Sequence, residues 1–569
     1  MRLWRFCLRS QPRACLYVAG FVCLSLTAAL SFAQQNVTIR VDAASDLGPL
    51  KPVWSSFGYD EPNYTYTPGG RELISELVAL SPAPVYIRTH NLLTSGDGTP
   101  ALKWGSTNAY TEDAAVKPIY DWKIVDQILD TYMHSGAKPF VEIGFMPEAL
   151  SVKPEPYKHN WSNGELFTGW SYPPKDYAKW AELVRQLVLH SVDRFGKGEV
   201  GSWYFEVWNE PDIGYWHGTA DEYDKLYDFS ADAVKRAFPA ARIGGPAITG
   251  PTSPKAAEFL RQFLEHCARG KNFATGRIGA PLDFISFHAK GNPKFLNGRE
   301  EMGLTAQLRG VDRGFEIVAS FPEFAQLPVV LSESDPDGCA ACASRTHPQL
   351  RYRNGALYPA YTAETLSGTL ELARERHINL AGALTWAFEF EGQPYFEGFR
   401  TLATNGIDKP ELNFFRMAGL MAGEQLEVES SGALALPQIL SSGVRAAPDI
   451  DGLAARAERR ITVMIWNYHD DDVPAPDTPI ALDVRGLPAQ NERILLRQYR
   501  IDQNHSNSYK AWLAMGSPQN PTPAQYAELK AAGQLQMLDS PRWISNQNGR
   551  VEVELSAPRE SVSLVELSW

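Results

Sequence analysis

Two glutamates stand where short apolar runs end. Trp203-Tyr-Phe-Glu-Val-Trp-Asn-Glu-Pro-Asp212 runs into Asn209-Glu210-Pro211, and Leu327-Pro-Val-Val-Leu-Ser-Glu-Ser-Asp-Pro336 delivers Glu333 in the same way. In each case a proline close behind stops the strand. A strand that ends on an acid is a rigid support with an exposed tip, and parallel α/β barrels keep their chemistry there. Two carboxylates facing each other across such a mouth are what acetal cleavage requires. One protonates the leaving oxygen, and the other attacks the anomeric carbon or activates water. Either acid alone reads equally well as a structural residue in an ion pair; the pair at matched strand ends favours chemistry.

The elements that must position these acids are legible as an alternation. From about residue 50 to 422, short apolar runs begin near Val53, Val85, Pro139, Trp203, Arg242, Phe284, Val329 and Ala383. Amphipathic segments separate them: Trp122, Val125, Leu129 and Tyr132 share one face, as do Tyr177, Trp180, Val184 and Leu187. Eight β-then-α units predict an α/β fold of the (β/α)8 TIM-barrel type, with Glu210 ending strand four and Glu333 in strand seven. No G-x-G-x-x-G or Walker loop follows any strand, which removes the usual reason to prefer a nucleotide fold.

Other polar and aromatic residues fall at the same end of the barrel. His90 and His288 end strands two and six and face the mouth as sugar contacts or supports for the acids, with buried scaffold histidines as the alternative. Trp386 on strand eight reads as a floor for a sugar ring, against plain core packing. Glu389 and Glu391 read as hydroxyl contacts or as surface acids. Glu142 and Glu148 are spare acids with no catalytic assignment.

After Gly423 the texture changes. The runs Arg460–Tyr468, 480–484, 494–500, 551–555 and 561–567 are β-like with turn residues between them, and predict a C-terminal antiparallel β-sandwich over 423–569. The segment 34–49, with Val37-Thr-Ile-Arg-Val41, reads as an extra strand of that sandwich. Residues 523–530 read as a helix, and His469-Asp-Asp-Asp-Val473 as an exposed turn rather than a cation site.

The full chain of 569 residues, 44% apolar and 21% charged, is long enough for two cores. Residues 1–33 have the pattern of a signal peptide: Arg2, Arg5, Arg9 and Arg13, then an apolar stretch to Leu30, then Ser31-Phe-Ala33 as a cleavage site. An uncleaved anchor is the rival reading. The formal net charge is −12, and losing four arginines and no acids with the signal makes it −16. That disfavours nucleic acid and anionic membrane as partners. No later stretch is long and apolar enough to span a bilayer, so the expected location is secreted or periplasmic. Cys339-Ala-Ala-Cys342 has two readings, a small-loop disulfide or two free thiols, and Cys267 reads as a buried thiol.

The ordered set Trp208-Asn-Glu-Pro-Asp212 and Leu331-Ser-Glu-Ser-Asp-Pro336 resembles glycoside hydrolase family 39, which holds β-xylosidases and α-L-iduronidases. Phe57-Gly-Tyr-Asp-Glu-Pro-Asn63, Tyr86-Ile-Arg-Thr-His90, 138–147, 283–288 and 384–388 extend the likeness over strands one, two, three, six and eight. Trp466-Asn-Tyr-His469 and 502–507 extend it into the sandwich. The resemblance implies that Glu210 is the acid/base and Glu333 the nucleophile of a retaining mechanism, with no cofactor and no metal. It implies that Asn209 contacts the sugar 2-hydroxyl, and Lys290 resembles in position the residue that binds a uronate carboxylate in iduronidases, with a solvated rim lysine as the alternative. The expected carboxyl separation is about 5–5.5 Å, against roughly 6.5–9.5 Å for an inverting pair. Glu210 should hold its proton and Glu333 should stay ionised. The expected substrate is a β-xyloside at a non-reducing end of a xylo-oligosaccharide. Uronic-acid, arabinosyl or glucosyl ends, or an inactive carbohydrate-binding barrel, are the alternatives. A homo-oligomer is compatible with this reading.

Overall fold

A computed structural model describes residues 36–102, 104–161, 164–167, 169–386 and 388–569. The expected signal segment 1–33 lies outside them. Among the described residues no helix is long and apolar enough to cross a membrane.

The central sheet is a closed parallel barrel. Its strands follow chain order around the ring: Ser56–Tyr59, Tyr86–Thr89, Lys138–Ile143, Tyr204–Val207, Arg242–Ile248, Phe284–Lys290 and Val329–Asp335, then Leu380–Ala383 with Thr385–Trp386. The last two pieces form one strand broken at Leu384. Leu380 pairs with Val329 on one side, and Trp386 pairs with Gly58 on the other, which closes the ring. A helix follows each strand, from Pro68–Ala79 after the first to Pro410–Gly419 after the eighth.

The periodicity in the sequence has a direct physical outcome. Helix Lys123–Ser135 buries Val125, Leu129 and Tyr132, and helix Tyr177–Phe195 buries Trp180, Val184 and Leu187 against the barrel. Each large apolar side chain so buried contributes about 1.5–3 kcal/mol. Caps fix where helices start: the Asp176 carboxylate accepts from the N–H groups of Ala178 and Lys179, and Thr219 forms a reciprocal capping box with Glu222.

Among the described residues the accessory domain is one hydrogen-bonded sheet of ten strands. It curls so that Leu496 and Val553, on strands near opposite ends of the pairing order, share one core with Ile39 and Ile465. Strand Val37–Pro49 pairs antiparallel with Glu424–Ser430 and parallel with Thr478–Arg485, so the sheet is mixed at that one place. Strands Glu424–Ser430 and Asp449–Ala457 carry too few alternating apolar residues to be read from the sequence.

Strand Arg460–Tyr468 is buried on both faces. Ile461, Val463 and Ile465 point into the sheet's own core, whereas Met464, Trp466 and Tyr468 pack on the barrel. Helix Leu357–Glu375 takes that load and is buried around most of its circumference. At this junction the Trp466 indole donates to Glu364 (2.6 Å) and to Asp449 (2.9 Å). The turn after Trp466 corrects the expectation of an exposed loop: Asp470 and Asp471 are buried. Asp470 accepts from the N–H of Val444, and Asp471 pairs with Arg445 at 2.6 Å. Three successive acids look solvated in a sequence; Asp472 is exposed, but a distant arginine and backbone donors make the burial of Asp470 and Asp471 affordable.

Cys339 and Cys342 form a disulfide, and Cys267 is a buried free thiol.

Candidate active site

Both acids stand at the C-terminal mouth of the barrel. Strand four stops at Val207, and the chain then takes two left-handed residues, Trp208 (φ 71°) and Glu210 (φ 45°). Such backbone costs on the order of 1–3 kcal/mol per residue and persists where the surroundings over-determine it. Here the N–H of Trp208 donates to Ile143 O on strand three (3.0 Å), and the N–H of Glu210 donates to Ala247 O on strand five (2.9 Å). Asp212 anchors the following loop by accepting from the N–H of Thr249 at 2.9 Å.

Strand seven carries Glu333 just past a register shift that leaves Ser332 as an extra residue, and the register partner of Glu333 on strand six is His288. The His288 Nδ1 atom lies 3.0 Å from Glu210 Oε1 and 3.6 Å from Glu333 Oε1. One ligand atom each from Glu210, His288 and Glu333 lies within 4.8 Å of the others. The acid pair and its bridging histidine therefore form one cluster. Its donor atoms would suit a cation by distance, but Glu333 is already paired with two cationic side chains, which disfavours a third charge there.

Those cations are Lys290 and Arg88. The Lys290 ammonium lies 2.7 Å from Glu333 Oε2 and 2.7 Å from Asp335 Oδ2. Arg88 is fully buried and spreads its guanidinium over four partners: Glu206 (2.6 Å), Glu142 (3.1 Å), Glu333 (3.3 Å) and Asn209 Oδ1 (3.0 Å). Burial pushes the Glu333 carboxyl up, but the neighbouring His288, Lys290 and Arg88 side chains outweigh it and hold the group well below the usual range. Burial lowers His288 to about 4, so its ring is neutral near neutral pH. Lys290 and Arg88 are then the cations that keep Glu333 ionised.

The remaining expected residues separate into two groups. Asn209 is brought in: its side-chain oxygen accepts from Arg88, which fixes the amide's orientation beside both acids. His90 lies one layer back. Its Nδ1 is 2.6 Å from Asp60 and its Nε2 is 3.3 Å from Glu142, and it is fully buried. Trp386 is also locked in place. Its indole donates to Asp60 (3.0 Å), its N–H donates to Asp335 (2.7 Å), and Arg88 lies over its ring at 4.9 Å. Gly58 makes that packing possible, because a Cβ there would lie 2.3 Å from the Trp386 ring. Glu389 is placed elsewhere: it is buried against Gly69 and accepts from the N–H of Gly406, with burial raising it to about 7.

Sequence reading passed over Arg88, Glu206, Glu142 and Asp335 as site residues. Burial raises Glu142 to about 7, with His90 and Arg88 opposing. The available signal was an arginine in the apolar run Val85–Thr89, which demands buried acids as partners.

A closed (β/α)8 barrel with paired carboxylates at the ends of strands four and seven is the architecture of a barrel glycoside hydrolase. The family model for glycosyl hydrolases family 39 matches residues 37–551, and the chain belongs to that family. A β-xylosidase of Caldicellulosiruptor saccharolyticus is 29% identical, over 78% of this chain and 82% of its own. A mouse α-L-iduronidase is 27% identical, over 96% and 83%. A monomeric β-xylosidase of Caulobacter crescentus superimposes with a TM-score of 0.73 at 24% identity, covering 93% of this chain and 99% of its own, a likeness of fold.

Proposed function

We propose that this glycoside hydrolase is an exported, retaining exo-glycosidase that releases xylose from the non-reducing ends of β-linked xylo-oligosaccharides by double displacement. The observation that carries the mechanism is the clustering of Glu210, His288 and Glu333 ligand atoms within 4.8 Å of one another. That closeness favours direct attack by a carboxylate, since an inverting pair leaves room for water at roughly 6.5–9.5 Å.

Glu333, ionised beside Lys290 and Arg88, attacks the anomeric carbon while Glu210 gives its proton to the leaving oxygen. The covalent glycosyl ester is then opened by a water molecule whose proton returns to Glu210. Neutral His288 sits against Glu210 Oε1 as a hydrogen-bonding partner that adds no charge. Asn209, with its oxygen taken by Arg88, has its NH2 end to offer the 2-hydroxyl of the sugar. Trp386 supports the ring from below. The pattern of residues 1–33 supports export, and the acidic net charge supports a neutral oligosaccharide as partner over nucleic acid or membrane.

Xylose is favoured because a bacterial β-xylosidase is 29% identical to this chain, against 27% for the mouse α-L-iduronidase. A second reading, a uronide substrate, has Lys290 in its favour, a cation at the mouth beside Glu333. Its ammonium is already shared by two carboxylates, which leaves less of its charge for a third. Turnover of a panel of nitrophenyl glycosides tests the choice: the β-xyloside should be the best substrate, and turnover of an α-L-iduronide without turnover of the xyloside would overturn it. The first-formed product followed by NMR should be the β-anomer.

A further inference from the structure

Between barrel and accessory sheet lies a cleft of about 640 Å³ that the hydrolytic reading does not use. Its size falls within the range of small-molecule sites, about 300–1,000 Å³. Glu300 and Arg351 line it from the barrel; Gln503, Tyr509, Arg559 and Glu560 line it from the accessory domain.

Three buried polar atoms on this lining lack a hydrogen-bond partner: Glu300 Oε1, Gln503 Oε1 and Arg559 Nε. Glu300 as a whole is only 6% exposed. Folded proteins pair nearly all such atoms, and each orphan costs about 1–3 kcal/mol. Three orphans on one cleft, two acceptors and one donor, form an incomplete set that a polar ligand completes.

The chemistry of the walls narrows the ligand. A cation is disfavoured: among the described residues, the trio of His, Cys, Asp or Glu ligand atoms found within 4.8 Å of one another is Glu210, His288 and Glu333, and none of the cleft acids belongs to it. Asp472, Asp477 and Asp502 are matched on the same lining by Arg351, Lys510 and Arg559, so neither sign of charge dominates and a neutral ligand fits the balance. Burial, with Asp472 next in size, raises both Glu300 and Glu560 to about 8, and each carboxyl shares a hydrogen bond with Asp472, so near neutral pH this edge of the cleft carries less negative charge than its acids suggest. Tyr509 adds a half-buried aromatic face held rigid by Trp512 (centroids 5.8 Å apart, stacked) and Phe396 (5.4 Å). An aromatic face beside donors and acceptors of low net charge suits the C–H face and hydroxyl rim of a sugar ring.

We propose that the cleft between Glu300 and Tyr509 is a second, non-catalytic site that binds a neutral oligosaccharide. It lies beyond the hydrolytic reading and does not depend on which glycoside the barrel cleaves. The test titrates xylotriose into the full chain carrying Glu333→Gln, which prevents turnover, and follows saturation transfer to the ligand by NMR. The same titration is run with Gln503→Ala or Tyr509→Ala added. Both added positions are only half-buried; Gln503→Ala should hold its thermal midpoint, Tyr509→Ala should lower it because its ring packs on Trp512 and Phe396, and either change in the Glu333-containing chain should leave kcat/KM on a nitrophenyl glycoside unchanged. The expected result is two saturable steps, one of which weakens tenfold or more in both cleft variants. A titration in which no saturable step weakens in either cleft variant overturns the site. Failure of the xylosidase reading would show separately, as absent xyloside turnover in the unmodified enzyme.

Discussion

The Lys290 ammonium lies 2.7 Å from Glu333 Oε2, and the same nitrogen lies 2.7 Å from Asp335. This short ion pair holds the proposed nucleophile ionised although it is almost wholly buried. Replacing Lys290 with methionine removes that charge and keeps most of the volume. The acid limb of the kcat/KM profile on a β-xyloside should then move to higher pH, because the Glu333 carboxyl loses its nearest cation. An unchanged acid limb would show that Arg88 alone suffices.

Arg88 ties Glu142, Glu206, Asn209 and Glu333 together without access to water. Arg88→Met leaves several buried carboxylates unpaired and should cost about 3–5 kcal/mol of stability, read as a lower urea midpoint. Arg88→Lys should restore part of that stability but little activity, because a single ammonium cannot reach four partners in the geometry of a planar fork.

Glu210→Ala should reduce kcat/KM on substrates with poor leaving groups by about 100- to 10,000-fold. Substrates with good leaving groups should still form the glycosyl ester and then stall. Azide should restore turnover and give a β-glycosyl azide from a β-substrate; an α-azide would exchange the two acid roles.

Stability should fall as pH rises through the range set by the cleft acids. Burial raises Glu300 and Glu560 to about 8 in the folded chain, from an unfolded value of about 4.3. Between those values the folded state binds more protons than the unfolded state, so this contribution is complete below the lower value and lost as pH climbs through 8. Glu300→Gln should flatten the decline in urea midpoint between mildly acidic and alkaline pH. His288 acts in the opposite direction. Its folded value of about 4 lies below the unfolded value of about 6.5, so its contribution is present above 6.5 and lost as pH falls toward 4.

The sequence by itself determined the ring and its two acids. Eight apolar runs separated by amphipathic ones leave few alternatives to a barrel, and a glutamate at the end of such a run can only be presented at one rim. Strand starts near Arg242, Phe284 and Val329 needed only local apolar content, and those strands begin at these residues in the fold. Tertiary structure decided what surrounds the acids. Arg88, Glu142 and Glu206 are buried charges whose partners lie on neighbouring strands, and no local pattern pairs residues 118 positions apart, the separation of Arg88 from Glu206. His90 looked like a contact at the mouth, but Asp60 and Glu142 hold it a layer below. Glu389 looked like a neighbour of the acids, yet its chain turns away to Gly69 and Gly406. Strand endings follow from local chemistry, whereas the partners of a buried charge depend on which strands become neighbours around the ring.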